Sequence, residues 1–487
     1  MISMKGLTRY FFVIILAAVL RKLGNIAACG VKTFVVIFFL IIIWIYVTMR
    51  NTVDDNSKMP QHLREVNGFP SESFESKIQQ PYLLMDRFEK NIKHDKNITT
   101  GNPLDTGTEI DTKLLKMAQA NNTKGFEKNE VEYIKLKIEE ANKEQIIYNE
   151  DIFGRLNNDS LVILVQVHKR VNYLQHLIDS LAKARYIDQA LIIFSHDIYE
   201  EEINDLIKAI KFCKVMQIFF PYSIQTHPDT FPGADVRDCP RNIGKQKALQ
   251  IGCLNAEYPD KFSHYRESKF TQIKHHWWWK MNHVFNNLNA TKKYSGFVLF
   301  LEEDHYVAED FIHLLRLMGR QCETKPQCKF LGLGLDIMKP GPSNQAIMSL
   351  FHTNLGLAFN RETYLDSIKK CAKEFCEFDD YNWDWSLNYI TNKCGKGPKL
   401  SMILRAQRVF HIGECGTHSR NANCDVGKVL AGVKNEIKSL GLYPTNIELT
   451  ETKVGRPKMM ENGGWGDKRD HELCLKMTRT IPNIVIS

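Results

Sequence analysis

Between Cys29 and Cys213 the sequence has no cysteine, although its 487 residues hold twelve. Residues 1–50 contain no acid but six basic residues: Lys5, Arg9, Arg21, Lys22, Lys32 and Arg50. The formal charge of +8 is therefore mostly a property of that end, since the rest balances 58 Lys and Arg against 56 acids. A surplus of +2 gives no polyanion-binding field, so no nucleic acid is expected as a partner. Phosphate-cradling and nucleophile motifs are missing too. There is no Walker loop, no Gly-X-Gly-X-X-Gly after the first strand and no Gly-X-Ser-X-Gly elbow. Their absence argues against an ATPase, a dehydrogenase and an α/β-hydrolase, and leaves phosphate to be neutralised by metal and side chains. No internal repeat or low-complexity tract occurs. With 44% hydrophobic and 25% charged residues, the chain is neither wholly disordered, collagen-like nor multi-spanning.

One long apolar run is present. Phe34–Val47 reads FVVIFFLIIIWIYV without a polar break, and Ile26–Gly30 extends it if Lys32 snorkels. About 20 such residues cross a hydrocarbon core of about 30 Å. No small-residue cleavage site follows, which favours a signal anchor at 26–49 over a cleaved leader. Tyr10–Leu20 is too short to span and lies in an expected cytoplasmic tail, 1–25. The basic residues before the main run place the N-terminus in the cytoplasm and the bulk on the lumenal side, a single-pass type II topology. Sequons at Asn97, Asn121, Asn158 and Asn289 agree with it, as do eleven cysteines crowded after residue 212. Residues 50–155 lack Cys and Trp and are rich in Asn, Lys, Glu, Asp and Ser, the composition of a stem, closing with a polar helix around 129–148.

At Ser160 the pattern changes. LVILVQV (161–167), LIIFS (191–195) and VMQIFF (215–220) read as buried strands, separated by helical patterns over Tyr173–Ala184 and Ile203–Phe212. That alternation predicts a doubly wound α/β sheet in a domain from 156 to 487. GFVLFL (296–301) is a further strand and runs straight into Glu302-Glu303-Asp304. Ligands in such sheets bind beyond the carboxyl ends of strands.

Several constellations there carry chemistry. The acidic triplet, with Glu309 and Asp310 after it, is either a solvated turn or a site for a hard divalent cation. His411, Cys415, His418 and Cys424 read as a zinc set, or as a disulfide that leaves His411 a free imidazole ligand. KHHWWWK (274–280) sits in a predicted helix. Its three Trp point about 100° apart and cannot all face one core. FDDYNWDW (378–385) alternates acids with aromatics, as sugar sites do, and Asp384 between two Trp is a candidate base. An amphipathic helix start with an acidic first turn explains the same residues equally well.

Taken in order, QVHKR (166–170), IFSHD (193–197), FPGADVRDCPRN (231–242), GCLNAEYPDKF (252–262), KHHWWWK, LFLEEDHY (299–306), FDDYNWDWSLNYIT (378–391), FHIGECGTH (410–418) and NGGWGDKRDHELC (462–474) resemble the N-acetylglucosaminyltransferase II family over roughly 155–475. The resemblance implies a GT-A fold of Rossmann-like type and an inverting Golgi-membrane enzyme. Its activity would be transfer of GlcNAc from UDP-GlcNAc, with Mn²⁺, to the 2-hydroxyl of the α1,6-linked mannose of an N-glycan on glycoproteins. It further implies donor contacts from Gln166, Val167, His168, Lys169, Arg170, Asp197, Gln272, Ile273, Lys274, His275 and His276. Asp304 and His411 match metal ligands and Asp384 the base. Arg241, Asp260, Asn354, Tyr381, Asn382 and Trp383 would lie toward the acceptor. Implied disulfides are Cys239–Cys253, Cys322–Cys328, Cys371–Cys394, Cys376–Cys474 and Cys415–Cys424, with Cys213 left over. A homodimer is among the expected states. The segment Asp336–Ser349, the loop closed by Cys322–Cys328 and Lys169 depart from the family pattern. A transferase acting on another glycan arm, a lectin without catalysis and a zinc-held module are the competing classes. Having Asp304, His411 and Asp384 together favours an enzyme.

Overall fold

The computed structural model describes residues 128–157, 160–335, 341–395, 397–413, 425–454 and 461–478. The expected anchor, most of the expected stem, three of the four sequons and the Cys415–Cys424 pair lie outside them. No helix among the described residues is long and apolar enough to cross a membrane.

The strands are β1 (Ile147–Tyr148), β2 (Leu161–Val167), β3 (Ala190–His196), β4 (Lys214–Phe219), β5 (Val298–Glu302), β6 (His305–Val307), β7 (Cys328–Gly332), β8 (Gln345–Ser349), β9 (Leu357–Phe359), β10 (Leu400–Leu404), β11 (Val409–His411) and β12 (Glu448–Val454). Ten form one sheet in the order β1-β4-β3-β2-β5-β9-β7-β10-β8-β12, and β6 and β11 form a separate pair. From β4 to β5 the strands are parallel, as the alternating pattern predicts. Beyond β5 the sheet is mixed: β9 runs antiparallel to both β5 and β7, and β8 antiparallel to β10.

The principal helices are α1 (Lys128–Glu144), α2 (Val171–Leu181), α3 (Glu201–Lys208), α4 (Lys245–Ile251), α5 (Ser268–Asn286), α6 (Phe311–Glu323), α7 (Ala372–Glu377), α8 (Trp383–Lys393), α9 (Val426–Ser439) and α10 (Lys468–Thr478). Helix α1, the polar helix expected at the end of the stem, packs Ile134 and Ile138 on Phe219. Its Asn142 exchanges two hydrogen bonds with the Phe219 backbone, at 2.7 and 2.8 Å. It is thus part of the folded unit.

Two cores sandwich the sheet, and strand alternation assigns their residues. Leu161, Ile163, Val165 and Val167 face a core shared with α2 and α6, whereas Val162 and Leu164 face the side covered by α5. On β5, Leu299 and Leu301 join the first core and Val298 and Phe300 the second. The next residues on the α5 side are Gln166 and Glu302, which are register partners. The chain winds from β2 through β3 to β4, then returns to place β5 on the other side of β2. The carboxyl ends of β2 and β5 therefore flank a topological switch point.

Helix α5 is buried nearly all round, and against the expectation from their spacing all three Trp belong to the second core, because residues of α7, α8 and α10 pack around the helix where the sheet does not. Trp277 stacks on Trp383 at 4.4 Å, Trp278 on Phe375 at 4.1 Å, and Trp279 on His283 at 4.7 Å. Four implied disulfides are present: Cys239–Cys253, Cys322–Cys328, Cys371–Cys394 and Cys376–Cys474. Cys213 is buried and has no disulfide partner among the described residues.

Candidate active site

The acidic triplet is not a solvated turn. Glu303 and Asp304 are 2% and 3% exposed. Glu303 accepts the His168 backbone N–H at 2.7 Å and the Arg170 Nε–H at 2.7 Å. Arg170 Nη2 donates to Asp304 Oδ2 at 2.8 Å. The end of β2 and the end of β5 are thereby locked across the switch point. Burial and Asp304 raise the Glu302 pKa. Burial also raises that of Glu303, against the pull of Arg170. For Asp304, His411 and Arg170 outweigh burial and hold the carboxyl well below the usual range.

His411 arrives by strand pairing: β11 runs antiparallel to β6 and sets His411 opposite His305. The Ile412 N–H donates to the Asp304 carbonyl at 2.8 Å, and His411 Nε2 lies 3.1 Å from Asp304 Oδ2. Ligand atoms of Glu302, Asp304 and His305 lie within 4.8 Å of one another. Asp304 Oδ1 is buried with no hydrogen-bond partner among the described residues. An orphaned carboxylate oxygen beside imidazoles and a second carboxylate is a donor set that fits a cation such as Mn²⁺. Gly413 is a site residue the sequence reading missed. A Cβ there would overlap the Asp304 carboxylate, so only glycine lets the chain pass this close.

Asp197, at the end of β3, accepts from Gln272 Nε2 at 2.9 Å and lies 2.6 Å from His168 Nδ1. Although burial works against both charges, their pairing raises the His168 pKa and lowers that of Asp197. Gln272 also accepts the Ile224 N–H at 2.6 Å, and His276 Nε2 meets Ser195 Oγ at 2.8 Å. Gln272 and His276, four residues apart, share the α5 face toward the strand ends. Lys280 continues that stripe, fully buried, its pKa pushed down to about 7 by burial against the pull of Glu302. No sequence signal beyond i, i+4 spacing marked it.

Lys274 and His275 lie elsewhere, a correction to the expected donor pocket. Lys274 is fully buried and donates to the carbonyls of Phe378 and Asp380. His275 Nε2 lies 2.9 Å from Asp470 Oδ1. Neighbours on a helix diverge by about 100°, so one run cannot put all its side chains on one ligand. Ile273 is partly buried against the second core. Gln166 Oε1 is buried without a hydrogen-bond partner among the described residues, Val167 is core, and Lys169 is exposed.

Asp384 is in the first turn of α8, partly buried. Burial raises its pKa to about 7, with Glu302 and Asp380 adding to the rise, against backbone N–H hydrogen bonds that include the one from Trp385 at 2.8 Å. Trp383 ties α8 to the acidic cluster, its indole N–H 3.3 Å from Glu302 Oε1. Trp383 is 6% exposed and stacked on Trp277, so most of its ring packs as a support for α8.

Three expected acceptor residues, Arg241, Asp260 and Tyr381, line one cavity of about 250 Å³ with Glu267, Phe270 and Asn462. Tyr381 stacks on Phe270 at 4.9 Å, and Arg241 pairs with Glu267 at 2.9 Å. Asp260 spends its carboxylate on the backbone N–H groups of Phe262, His264 and Gly464, which makes it an organiser of the loop. Asn382 precedes α8 in an extended conformation without a side-chain capping bond, and Asn354 is exposed in the loop before β9.

This arrangement places a candidate cation cluster near a carboxyl of near-neutral pKa. Comparison with known proteins gives it a family. Residues 135–474 match N-acetylglucosaminyltransferase II (MGAT2). Alpha-1,6-mannosyl-glycoprotein 2-beta-N-acetylglucosaminyltransferase of Rattus norvegicus is 43% identical over 355 residues, 70% of this chain and 79% of that protein. The protein of that name from Homo sapiens is 43% identical over 353 residues, 70% and 78%. Its Arabidopsis thaliana counterpart is 34% identical over 335 residues, 67% and 76%. Among solved structures, S. aureus TarS in complex with UDP-GlcNAc has a TM-score of 0.27 at 11% identity, covering 58% of this chain and 68% of that one, too loose a likeness to argue from. With a family match over 135–474 and relatives 34–43% identical over two thirds or more of this chain, the chain belongs to the N-acetylglucosaminyltransferase II family.

Proposed function

We propose that the protein transfers GlcNAc from UDP-GlcNAc, with inversion, to the 2-hydroxyl of an α1,6-linked mannose in N-glycan synthesis. The observation that carries this reading is Asp384, a carboxyl near neutrality beside the Glu302–Asp304 cluster, in a chain of this family. Its fold is read as GT-A, its setting as the Golgi membrane in type II orientation, and a homodimer as one assembly to test. Among the donor residues, Asp197, Gln272 and His168 form the polar end at β3, and Arg170 the cationic one at β2.

In this reading Asp384 takes the proton of the mannose hydroxyl as that oxygen bonds to the anomeric carbon. The bond from that carbon to the diphosphate oxygen breaks, and UDP leaves with the electron pair. A base of pKa about 7 suits the step at neutral pH. A single displacement needs no enzyme nucleophile, in keeping with the absence of Ser–His and Cys–His signatures. Asp304 and His411, with Glu302 and His305 beside them, would hold Mn²⁺, which when bound neutralises charge on the departing diphosphate. Arg170 adds a guanidinium on the same side.

The test is to incubate the full chain in detergent with UDP-GlcNAc, Mn²⁺ and a trimannosyl core bearing GlcNAc on its α1,3 arm. One added GlcNAc on the α1,6 mannose, lost with chelator, is the expected mass-spectrometric result. Transfer to another position would move the reading to a different acceptor. Absence of both transfer and UDP binding would overturn it.

A further inference from the structure

Lys274 is a lysine at 0% exposure in the interior of α5. Its stem passes the rings of Trp465 and Phe375, with Nζ 4.2 and 5.0 Å from their centroids. It ends on two backbone carbonyls, Phe378 at 3.0 Å and Asp380 at 2.9 Å. A buried amine this far from water costs stability unless its N–H groups are taken up, and here that is done by a loop. Burial drives the Lys274 pKa well below its ordinary value, against Asp380, Asp379 and Asp470. Both the ammonium and the neutral amine can donate to two carbonyls.

That loop leads directly into α8. The Asp380 side chain is fully buried and accepts the Asn382 N–H and the Asn462 N–H, each at 2.9 Å. The Asp380 carbonyl also accepts from Ser386 Oγ at 3.3 Å, one turn into α8. Asp384 lies between Asn382 and Ser386. We propose that Lys274 is a positioning residue for transfer, fixing the 378–382 loop and through it the placement of the Asp384 carboxylate. Through Lys274 the helix that orients Gln272 and His276 toward Asp197 also sets the base, so donor pocket and base share one rigid element. This rests on the reading of Asp384 as the base.

The test uses Lys274→Met in the full chain, which keeps the stem volume and removes both donors. Expected are a 10–100-fold fall in the single-turnover rate, UDP-GlcNAc affinity by calorimetry unchanged within twofold, and an unfolding midpoint within a few degrees of wild type. In an Asp384→Asn background the same change should cost no further rate, because two residues acting through one step are not additive. Weakened UDP-GlcNAc binding at an unchanged rate would make Lys274 a donor contact, and an additive loss would remove its route through Asp384. Either overturns the proposal. Should Lys274→Met fail to fold, Ser386→Ala loosens the same loop from the α8 side and must give the same split between rate and affinity. If instead the wild-type chain binds UDP-GlcNAc but transfers nothing, it is the proposed function that fails.

Discussion

Replacing Asp384 by Asn should make the protein more stable as it becomes inactive, and by an amount that depends on pH. In the folded chain burial raises this carboxyl from 3.8 to about 7. A carboxyl whose pKa rises on folding costs stability once pH passes its unfolded value, and the cost is complete above its folded value. About three pKa units at about 1.36 kcal/mol each give roughly 4 kcal/mol at pH 8.5. At pH 5 most of the folded chains carry the neutral acid, and the cost drops below about 2 kcal/mol. Asn keeps an oxygen for the Trp385 N–H and carries no charge, so it recovers this difference. The assay is thermal unfolding of wild type and Asp384→Asn, without donor or metal, at both pH values. The variant should melt on the order of 5 °C higher at pH 8.5, with the gap more than halved at pH 5. A gap independent of pH, or a less stable variant at pH 8.5, would refute the argument that an ionised carboxylate is being held against its solvation. Turnover should fall about 10²–10⁴-fold with UDP-GlcNAc binding intact.

Wild-type kcat/KM should rise with pH through a limb near 7, since the base must be ionised, and Asp384→Asn should lack that limb in a pH–rate profile. Asp304→Asn should abolish Mn²⁺ binding measured by electron paramagnetic resonance, while circular dichroism stays native. Gly413→Ala should weaken Mn²⁺ binding at least tenfold in the same assay, because its methyl group displaces the Asp304 carboxylate. A fragment beginning at residue 150 should melt several degrees below one beginning at 128. It loses the buried Val131, Ile134 and Ile138, each contributing about 1.5 kcal/mol or more, and both Asn142 hydrogen bonds. Equal midpoints would mean that α1 contributes nothing to the domain.

The parallel half of the sheet was legible because its strands are short apolar runs of the right length between helical patterns. LVILVQV is β2 to the residue. The mixed half was not. β8, β9 and β12 are short or polar, and β12, with the sequence ELTETKV, carries no apolar run at all. Their pairing comes from partners far away in sequence. At the site, the acids after β5 could be placed at a strand end from the sequence and His411 follows the apolar Val409-Phe410 within β11, whereas Asp197, one residue after β3, came only with the family resemblance. Residues within the KHHWWWK helix were not, because position in a motif says nothing about which face meets a ligand.

Composition, strand ends and ordered motifs were determined by sequence alone: an α/β domain of this family, with its acids placed where a switch point would put them. Tertiary structure decided which atoms are used. It set Lys274 on the loop before α8, brought Lys280 beside Glu302, packed Trp383 as a support, and left Asp304 Oδ1 without a partner among the described residues. The reason is geometric: chemical type is a property of the residue, whereas burial, charge and direction belong to its surroundings in three dimensions.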